Sequence, residues 1–138
     1  MSLKSEIMPE LQTTRLTFLG TGGGRFATMY QARATGGIYL ADTLRLHIDP
    51  GPSALYNMKR LSIDPIKTDG ILLSHCHPDH YSDAEILTEG MSHGGIVKRG
   101  ALIGSKSVIL GEGEFDSPIS NYHRSICARV SAVSAGDR

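Results

Sequence analysis

Short apolar runs separated by glycine- and proline-rich breaks follow one another along this chain, a pattern typical of strands alternating with helices. Residues 16–19 predict a first strand, and a glycine loop at residues 20–24 closes it without a clear helical period after it. Alternating runs at residues 37–41 and 44–48 flank Asp42 and Thr43 and predict a β-hairpin.

The next segment predicts a strand, helix and strand in succession. We expect Ser53 to cap a helix that runs through about residue 61 and carries Met58 on its apolar face. The apolar run at residues 70–73 predicts a short buried strand. Because such a connection crosses over between parallel strands, the sequence predicts an α/β fold with helices against a mixed β-sheet.

A second helix is predicted after residue 82. Ser82 and Glu85 have the spacing of a capping box, and Ala84, Leu87 and Met91 share one face of the helix that follows. We therefore expect this helix to begin at a fixed point and to pack against the sheet.

The remainder of the chain has weaker signals. Residues 101–103 predict a strand, residues 108–110 a strand or a helical turn, and residues 129–133 a final strand. Residues 111–118 and the surroundings of His123 are typical of loops. We expect one domain over residues 1–138.

Three histidines and an aspartate follow the predicted strand at residues 70–73. Alternate side chains of an extended chain point to the same side, so His75 and His77 can bind one cation together. Asp79 and His80 are adjacent and can serve a second cation. Imidazole and carboxylate ligands suit zinc, iron or manganese, and their use without several cysteines is typical of catalytic sites. The sequence therefore predicts a catalytic metal centre at this strand end.

Composition restricts the class of protein. Of 138 residues, 40% are hydrophobic and 20% are charged, which is typical of a soluble globular protein. The 14 basic and 14 acidic residues cancel, so no overall attraction to nucleic acid or membrane follows. Only two cysteines occur, Cys76 and Cys127, so we expect a cytoplasmic protein without a disulfide framework. Residues 1–6 begin no long apolar run, so we expect no membrane partner.

The series His75-x-His77-x-Asp79-His80 resembles the signature of the metallo-β-lactamase superfamily. The glycine loop at residues 20–24 and the turn at residues 48–51 are similar to earlier landmarks of that family. The resemblance implies an αββα sandwich of which this chain covers roughly the first half. It also implies two zinc ions in the complete protein, the first bound by His75 and His77 and the second by Asp79 and His80.

By this resemblance the parent protein is a hydrolase with a dinuclear zinc centre. Residues 19–22 resemble the phosphodiesterase branch that includes ribonuclease Z, so we expect a small-molecule or nucleic-acid phosphodiester as substrate. Asp79 would also accept or relay a proton from the nucleophile. An iron-bound redox member of the same fold and a non-catalytic metal-binding fragment are the alternatives. Asp49 either supports the metal ligands or only forms a turn.

The later landmarks of the family have no match in the sequence. A third histidine for the first metal and a bridging aspartate are missing, and neither His93 nor His123 can be assigned to the site. His47, between two apolar neighbours, is expected to face solvent or a sheet surface. We expect a truncated or cleaved piece of a longer enzyme that is inactive alone, and that forms a homo-oligomer or associates with its missing half.

Overall fold

A computed structural model describes residues 13–137, which form one six-stranded sheet in the order β1-β2-β3-β4-β5-β6. The strands are β1 (Arg15–Phe18), β2 (Ile38–Ala41), β3 (Arg45–Ile48), β4 (Gly70–Leu73), β5 (Ala101–Ser105) and β6 (Arg129–Val133). Strands β1, β2 and β3 pair antiparallel, whereas β3 to β6 pair parallel. The predicted α/β class with a mixed sheet is confirmed. Residues 1–6, whose sequence we interpreted above, lie outside the described residues.

The helices are α1 (Arg25–Tyr30), α2 (Ala54–Arg60), α3 (Pro78–Tyr81), α4 (Ala84–Met91), α5 (Lys106–Ile109) and α6 (Asn121–Ile126), with a 3-10 turn at Pro65–Lys67 before β4. The predicted helices after residues 53 and 82 are confirmed as α2 and α4. None of the helices in the described part of the chain is long and apolar enough to cross a membrane.

Two helices, α1 and α6, lie where the sequence predicted no helix. Helix α1 has only six residues and buries none of them, so its apolar residues Phe26, Met29 and Tyr30 make less than two turns of a helical pattern. Helix α6 has Ser120 as its N-cap residue, and the Ser120 hydroxyl accepts a hydrogen bond from the backbone N–H of His123. That serine is an N-cap signal, and it places His123 in a helix rather than in a loop.

The two predicted helix caps differ in outcome. Ser53 does occupy the N-cap position of α2, but its φ of 75° is not that of a usual N-cap residue and its side chain makes no capping hydrogen bond. Its hydroxyl instead donates to Gln31 Oε1 at 2.8 Å. Ser82 belongs to the end of α3, where its hydroxyl donates to the carbonyl of Pro78 at 2.5 Å. Asp83 takes the N-cap position of α4 instead, without a side-chain capping bond.

The helix-covered face of the sheet forms the core. Tyr39, His47, Ile71 and Leu102 are register neighbours across β2 to β5, and all four are buried. The expectation that His47 faces solvent or a sheet surface is wrong: its side chain is 0% exposed, and its Nε2 lies 2.7 Å from the carbonyl of Gly36. Strand β3 lies in the interior of the sheet, and His47 stands between the apolar residues Leu46 and Ile48. The alternation of the sequence therefore does not show which of the two faces of the strand is buried.

The opposite face of the sheet is apolar but only partly covered by the described residues. Its side chains include Leu16, Phe18, Ile38, Leu40, Leu46, Ile48, Leu72 and Ile103, which are all half-buried or exposed. Leu16 is 56% exposed and Phe18 is 61% exposed, both on the edge strand β1. We call this surface the open sheet face.

One edge of the sheet collects the segments with candidate chemistry. Strands β1, β3 and β4 run in the same direction, so their carboxyl ends meet at the same edge. The glycine loop follows β1, Asp49 follows β3, and residues 74–80 follow β4. Ligands of open sheets with parallel strands bind at such carboxyl ends, and the candidate site lies there.

Candidate metal centre

Residues 74–80, here called the histidine loop, follow β4 and include the first three residues of α3. Pro78 occupies the start of α3, where its fixed φ suits the first helical turn. Nε2 of His75 lies 3.1 Å from Nδ1 of His77, so the two imidazoles face each other as the spacing predicted. Two nitrogen ligands of a tetrahedral zinc ion lie about 3.3 Å apart. The pair therefore has the spacing of two corners of one zinc site.

The second predicted pair lies beside the first. Nε2 of His80 is 3.5 Å from Oδ2 of Asp79, and the ring centroids of His75 and His80 are 4.1 Å apart. All four predicted ligands, His75, His77, Asp79 and His80, are thus brought together in one cluster. Cys76 is exposed and lines a separate cavity with Tyr81, so it points away from the cluster as expected.

The carboxylate of Asp49 contacts the histidine loop through hydrogen bonds to His80 and Ser74. Its Oδ2 accepts hydrogen bonds from Nδ1 of His80 at 2.9 Å and from the Ser74 hydroxyl at 2.7 Å, and its Oδ1 accepts the Ser74 backbone N–H at 2.7 Å. Because the Ser74 hydroxyl donates to Asp49, it accepts from Nδ1 of His75, which lies 2.9 Å away. Both imidazoles thus carry their proton on Nδ1 and keep the lone pair on Nε2.

The backbone around Asp49 is as constrained as its side chain. Asp49 has a φ of 52°, in the left-handed region that non-glycine residues rarely adopt. A Cβ on Gly51 would lie 1.9 Å from the carbonyl oxygen of Asp79, so only glycine lets this turn approach the histidine loop. Asp49 therefore forms the turn, as one of the two interpretations left open by the sequence expected, and it also contacts His80 and Ser74 in the histidine loop.

The glycine loop reaches the same cluster. The backbone N–H of Gly24 donates to Oδ2 of Asp79 at 3.3 Å. Between α1 and residues 77–80 lies a cavity of about 850 Å³. The glycine loop therefore does bring its backbone next to the candidate site, and the helix after it forms a cavity wall.

Electrostatics favour the neutral form of His75. Desolvation lowers the pKa of His75, and the neighbouring imidazoles of His80 and His77 lower it further. Neutral imidazole is the form that binds metal ions.

The described residues do not complete a metal site. No three histidine, cysteine, aspartate or glutamate side chains of residues 13–137 are arranged to hold one metal ion. Donor chemistry and pair distances fit zinc, but each pair supplies only two ligands where a catalytic zinc normally has three from protein. His123 does not contribute, since its ring lies against Glu85 and Glu89 at 3.1 and 3.2 Å, and His93 is exposed just beyond α4.

Comparison with known proteins finds a superfamily that part of the chain resembles. Residues 48–97, from the end of β3 past the end of α4, match the family model of the metallo-beta-lactamase superfamily. The resemblance to that superfamily is confirmed. "Uncharacterized protein MJ1374" of Methanocaldococcus jannaschii is 46% identical over 123 residues, which make up 88% of this chain and 46% of that protein. The chain thus spans about half the length of that relative.

The metallo-β-lactamase superfamily consists largely of hydrolytic enzymes. Its model covers the Asp49 turn and the histidine loop but neither the glycine loop nor α1. Sequence reasoning named the histidine loop and the open role of Asp49, but it missed Ser74. The signal for Ser74 was its place at the strand end directly before His75, where a hydroxyl can bond to the neighbouring imidazole.

Proposed function

We propose that the protein to which this chain belongs is a hydrolase with a dinuclear zinc centre, and that it cleaves phosphodiesters. The observation that carries the proposal is the contact of one carboxylate, that of Asp49, with both His80 and the Ser74 hydroxyl that holds His75. A carboxylate behind a ligating histidine fixes its orientation and raises its basicity. An imidazole from each predicted pair is oriented in this way.

In this proposal His75 and His77 hold the first ion, and Asp79 and His80 hold the second. Metal ions there would act as Lewis acids and would lower the pKa of water toward neutrality. Oδ2 of Asp79 already accepts a bond from Gly24, whereas Oδ1 has no hydrogen bond within residues 13–137. That free oxygen is the one we assign to accepting or relaying a proton.

The cavity beside the cluster supports an anionic substrate. Arg25 lies on its wall and makes no ion pair within the described residues. A guanidinium group there matches the charge and the planar geometry of a phosphate group. A phosphodiester that reaches the histidine loop would therefore meet a cation on the opposite wall.

The test compares Asp79→Asn with the unchanged sequence in the full-length protein, using bis(p-nitrophenyl) phosphate as substrate and metal analysis of each sample. The substitution keeps the shape of the side chain but removes its charge. We expect turnover to fall about 100-fold or more, while occupancy of the first metal site falls much less. Equal loss of turnover and occupancy would contradict the role given to Asp79. A protein with bound iron, a visible absorption band and no hydrolysis would contradict the proposed function.

A further inference from the structure

Helix α1 has an unusual distribution of apolar side chains. A surface helix normally buries an apolar stripe against the core, but α1 buries no residue at all. Phe26 is 71% exposed and Met29 is 64% exposed, although both are large and apolar. The core therefore does not explain why these residues occupy α1.

Polar contacts at both ends hold α1 beside the histidine loop. Before its start, the backbone N–H of Gly24 donates to Oδ2 of Asp79 at 3.3 Å. After its end, the side chain of Gln31 accepts a hydrogen bond from Ser53 at 2.8 Å. The helix is thus tied to the candidate metal centre at one end and to the start of α2 at the other.

The cavity between these elements has the size and lining of a ligand site. Its volume of about 850 Å³ lies within the range of about 300–1,000 Å³ that small-molecule sites occupy. Phe26 and Met29 line it on the side of α1, and His77 and Asp79 line it on the side of the histidine loop. An apolar wall thus faces the polar groups where bond cleavage is proposed.

Arg25 adds a single charge to the apolar wall. It also lines the cavity, and its side chain makes no hydrogen bond or ion pair with any other residue in the range 13–137. Arginine recognises phosphate oxygens through paired donors, and a phenyl ring stacks on a planar base. The adjacent positions of Arg25 and Phe26 therefore present a phosphate contact and a ring contact to the same ligand.

We propose that α1 is the recognition element for a nucleotide-type phosphodiester, in which Phe26 stacks on the base and Arg25 binds the phosphate. The inference rests on the proposed phosphodiesterase function and adds the substrate class. Met29 extends the apolar wall beside Phe26, and the histidine loop faces the phosphate. Each of these groups belongs to the 138-residue chain, so the chain itself suffices for a binding test.

The test measures equilibrium binding of adenosine 5′-monophosphate and of ribose 5-phosphate by calorimetry, without and with zinc. Both probes are phosphomonoesters that represent one side of the proposed diester; they share the phosphate and the ribose and differ by the base. We expect the unchanged chain to bind the nucleotide about tenfold more tightly than the sugar phosphate. Phe26→Leu should remove most of that difference and leave ribose 5-phosphate unaffected. Arg25→Gln should lower the affinity for both probes by a similar factor.

Tyr30→Leu is the matched control, because Tyr30 lies on the same helix and is 76% exposed but does not line the cavity. It should change neither affinity. Equal affinities of the two probes for the unchanged chain, or a nucleotide affinity that Phe26→Leu leaves intact, would overturn the proposal. If Phe26→Leu instead lowers the melting temperature and leaves binding unchanged, Phe26 packs against protein and the proposal fails. Phe26-dependent nucleotide binding without hydrolysis by the full-length protein would support the recognition element and refute the phosphodiesterase function.

Discussion

The carboxylate of Asp49, in the turn that joins β3 to α2, lies 2.9 Å from Nδ1 of His80 in α3. The same carboxylate reaches His75 through the hydroxyl of Ser74. One side chain outside the histidine loop thus sets the direction of two of its imidazoles, and the geometry of the site depends on it.

Asp49→Asn tests that dependence. The amide has one acceptor oxygen instead of two, so it cannot keep the bonds to His80 and to both groups of Ser74. We expect zinc affinity to fall by about 10- to 100-fold, the usual effect of losing a carboxylate behind a ligating histidine. Asp42→Asn in the β2–β3 turn makes the same chemical change at the opposite sheet edge and should leave zinc affinity unchanged. Competition with a chromophoric chelator measures the zinc affinity of both variants. Equal zinc affinities of Asp49→Asn and Asp42→Asn would refute the role of Asp49.

Gly51→Ala tests the close approach of the turn to the histidine loop. The added Cβ would meet the carbonyl oxygens of Asp79 and Thr35 at 1.9 and 2.3 Å, so the backbone must move. We expect a loss of about 2 kcal/mol or more in the free energy of unfolding, together with weaker zinc binding. Gly23→Ala, whose Cβ would meet nothing within 4 Å, is the matched control and should have little effect. Thermal melts compare the stabilities of the two variants, and zinc titration compares their affinities. Equal values for Gly51→Ala and Gly23→Ala would contradict the close approach.

The buried His47 makes stability depend on pH. Burial lowers the pKa of His47 from 6.5 to about 4. Between about pH 6.5 and pH 4 the unfolded chain therefore binds a proton at His47 that the folded chain does not bind. The free energy of unfolding consequently falls as the pH falls through that range. We expect a loss of about 2 kcal/mol between about pH 7 and pH 5 from this residue.

His47→Gln is the variant for that measurement, because its amide nitrogen can still donate to the carbonyl of Gly36. Urea unfolding at both pH values should show a smaller pH dependence in the variant than in the unchanged chain. If the two chains lose the same stability on acidification, His47 is not the titrating group.

Much of the fold was predictable because its strands are short, apolar and bounded by turn residues. The hairpin of β2 and β3 and the buried strand β4 follow directly from those patterns. Helices α1 and α6 were missed because each has only six residues, too few for a helical period to emerge. The burial of His47 depends on which face of an interior strand the helices cover, and tertiary packing decides that.

The candidate site was predictable where its residues are consecutive. Alternation along an extended chain was enough to bring His75 and His77 together. The contacts made by Asp49 join residues far apart in sequence, and those made by Ser74 depend on the direction of a hydroxyl. Neither follows from spacing alone. The caps also depend on the backbone: Ser53 is at the N-cap of α2 with a left-handed φ of 75° and no capping bond, and Ser82 ends α3 while Asp83 begins α4.

The open sheet face predicts self-association of the 138-residue chain. Exposed apolar surface of this kind drives protein contacts, and Phe18 on the edge strand is 61% exposed. We expect light scattering to show oligomers, and Phe18→Glu to shift the distribution toward monomer. Phe115→Glu is the control, because Phe115 is 81% exposed but lies in the loop after α5, outside the open sheet face. This variant should not shift the distribution toward monomer. A monomeric chain at high concentration would refute the prediction.

The central claim is that the histidine loop binds metal through imidazoles paired on one side, and zinc titration of His77→Ala tests it most directly. His77 is exposed, so its removal should not disturb folding. The unchanged chain should bind zinc weakly, because the described residues supply only two ligands to each ion. His77→Ala should abolish binding at the first site, whereas His93→Asn, a change at an exposed histidine outside the cluster, should leave the titration unaltered. Unchanged zinc affinity in His77→Ala would contradict the assignment of the metal centre.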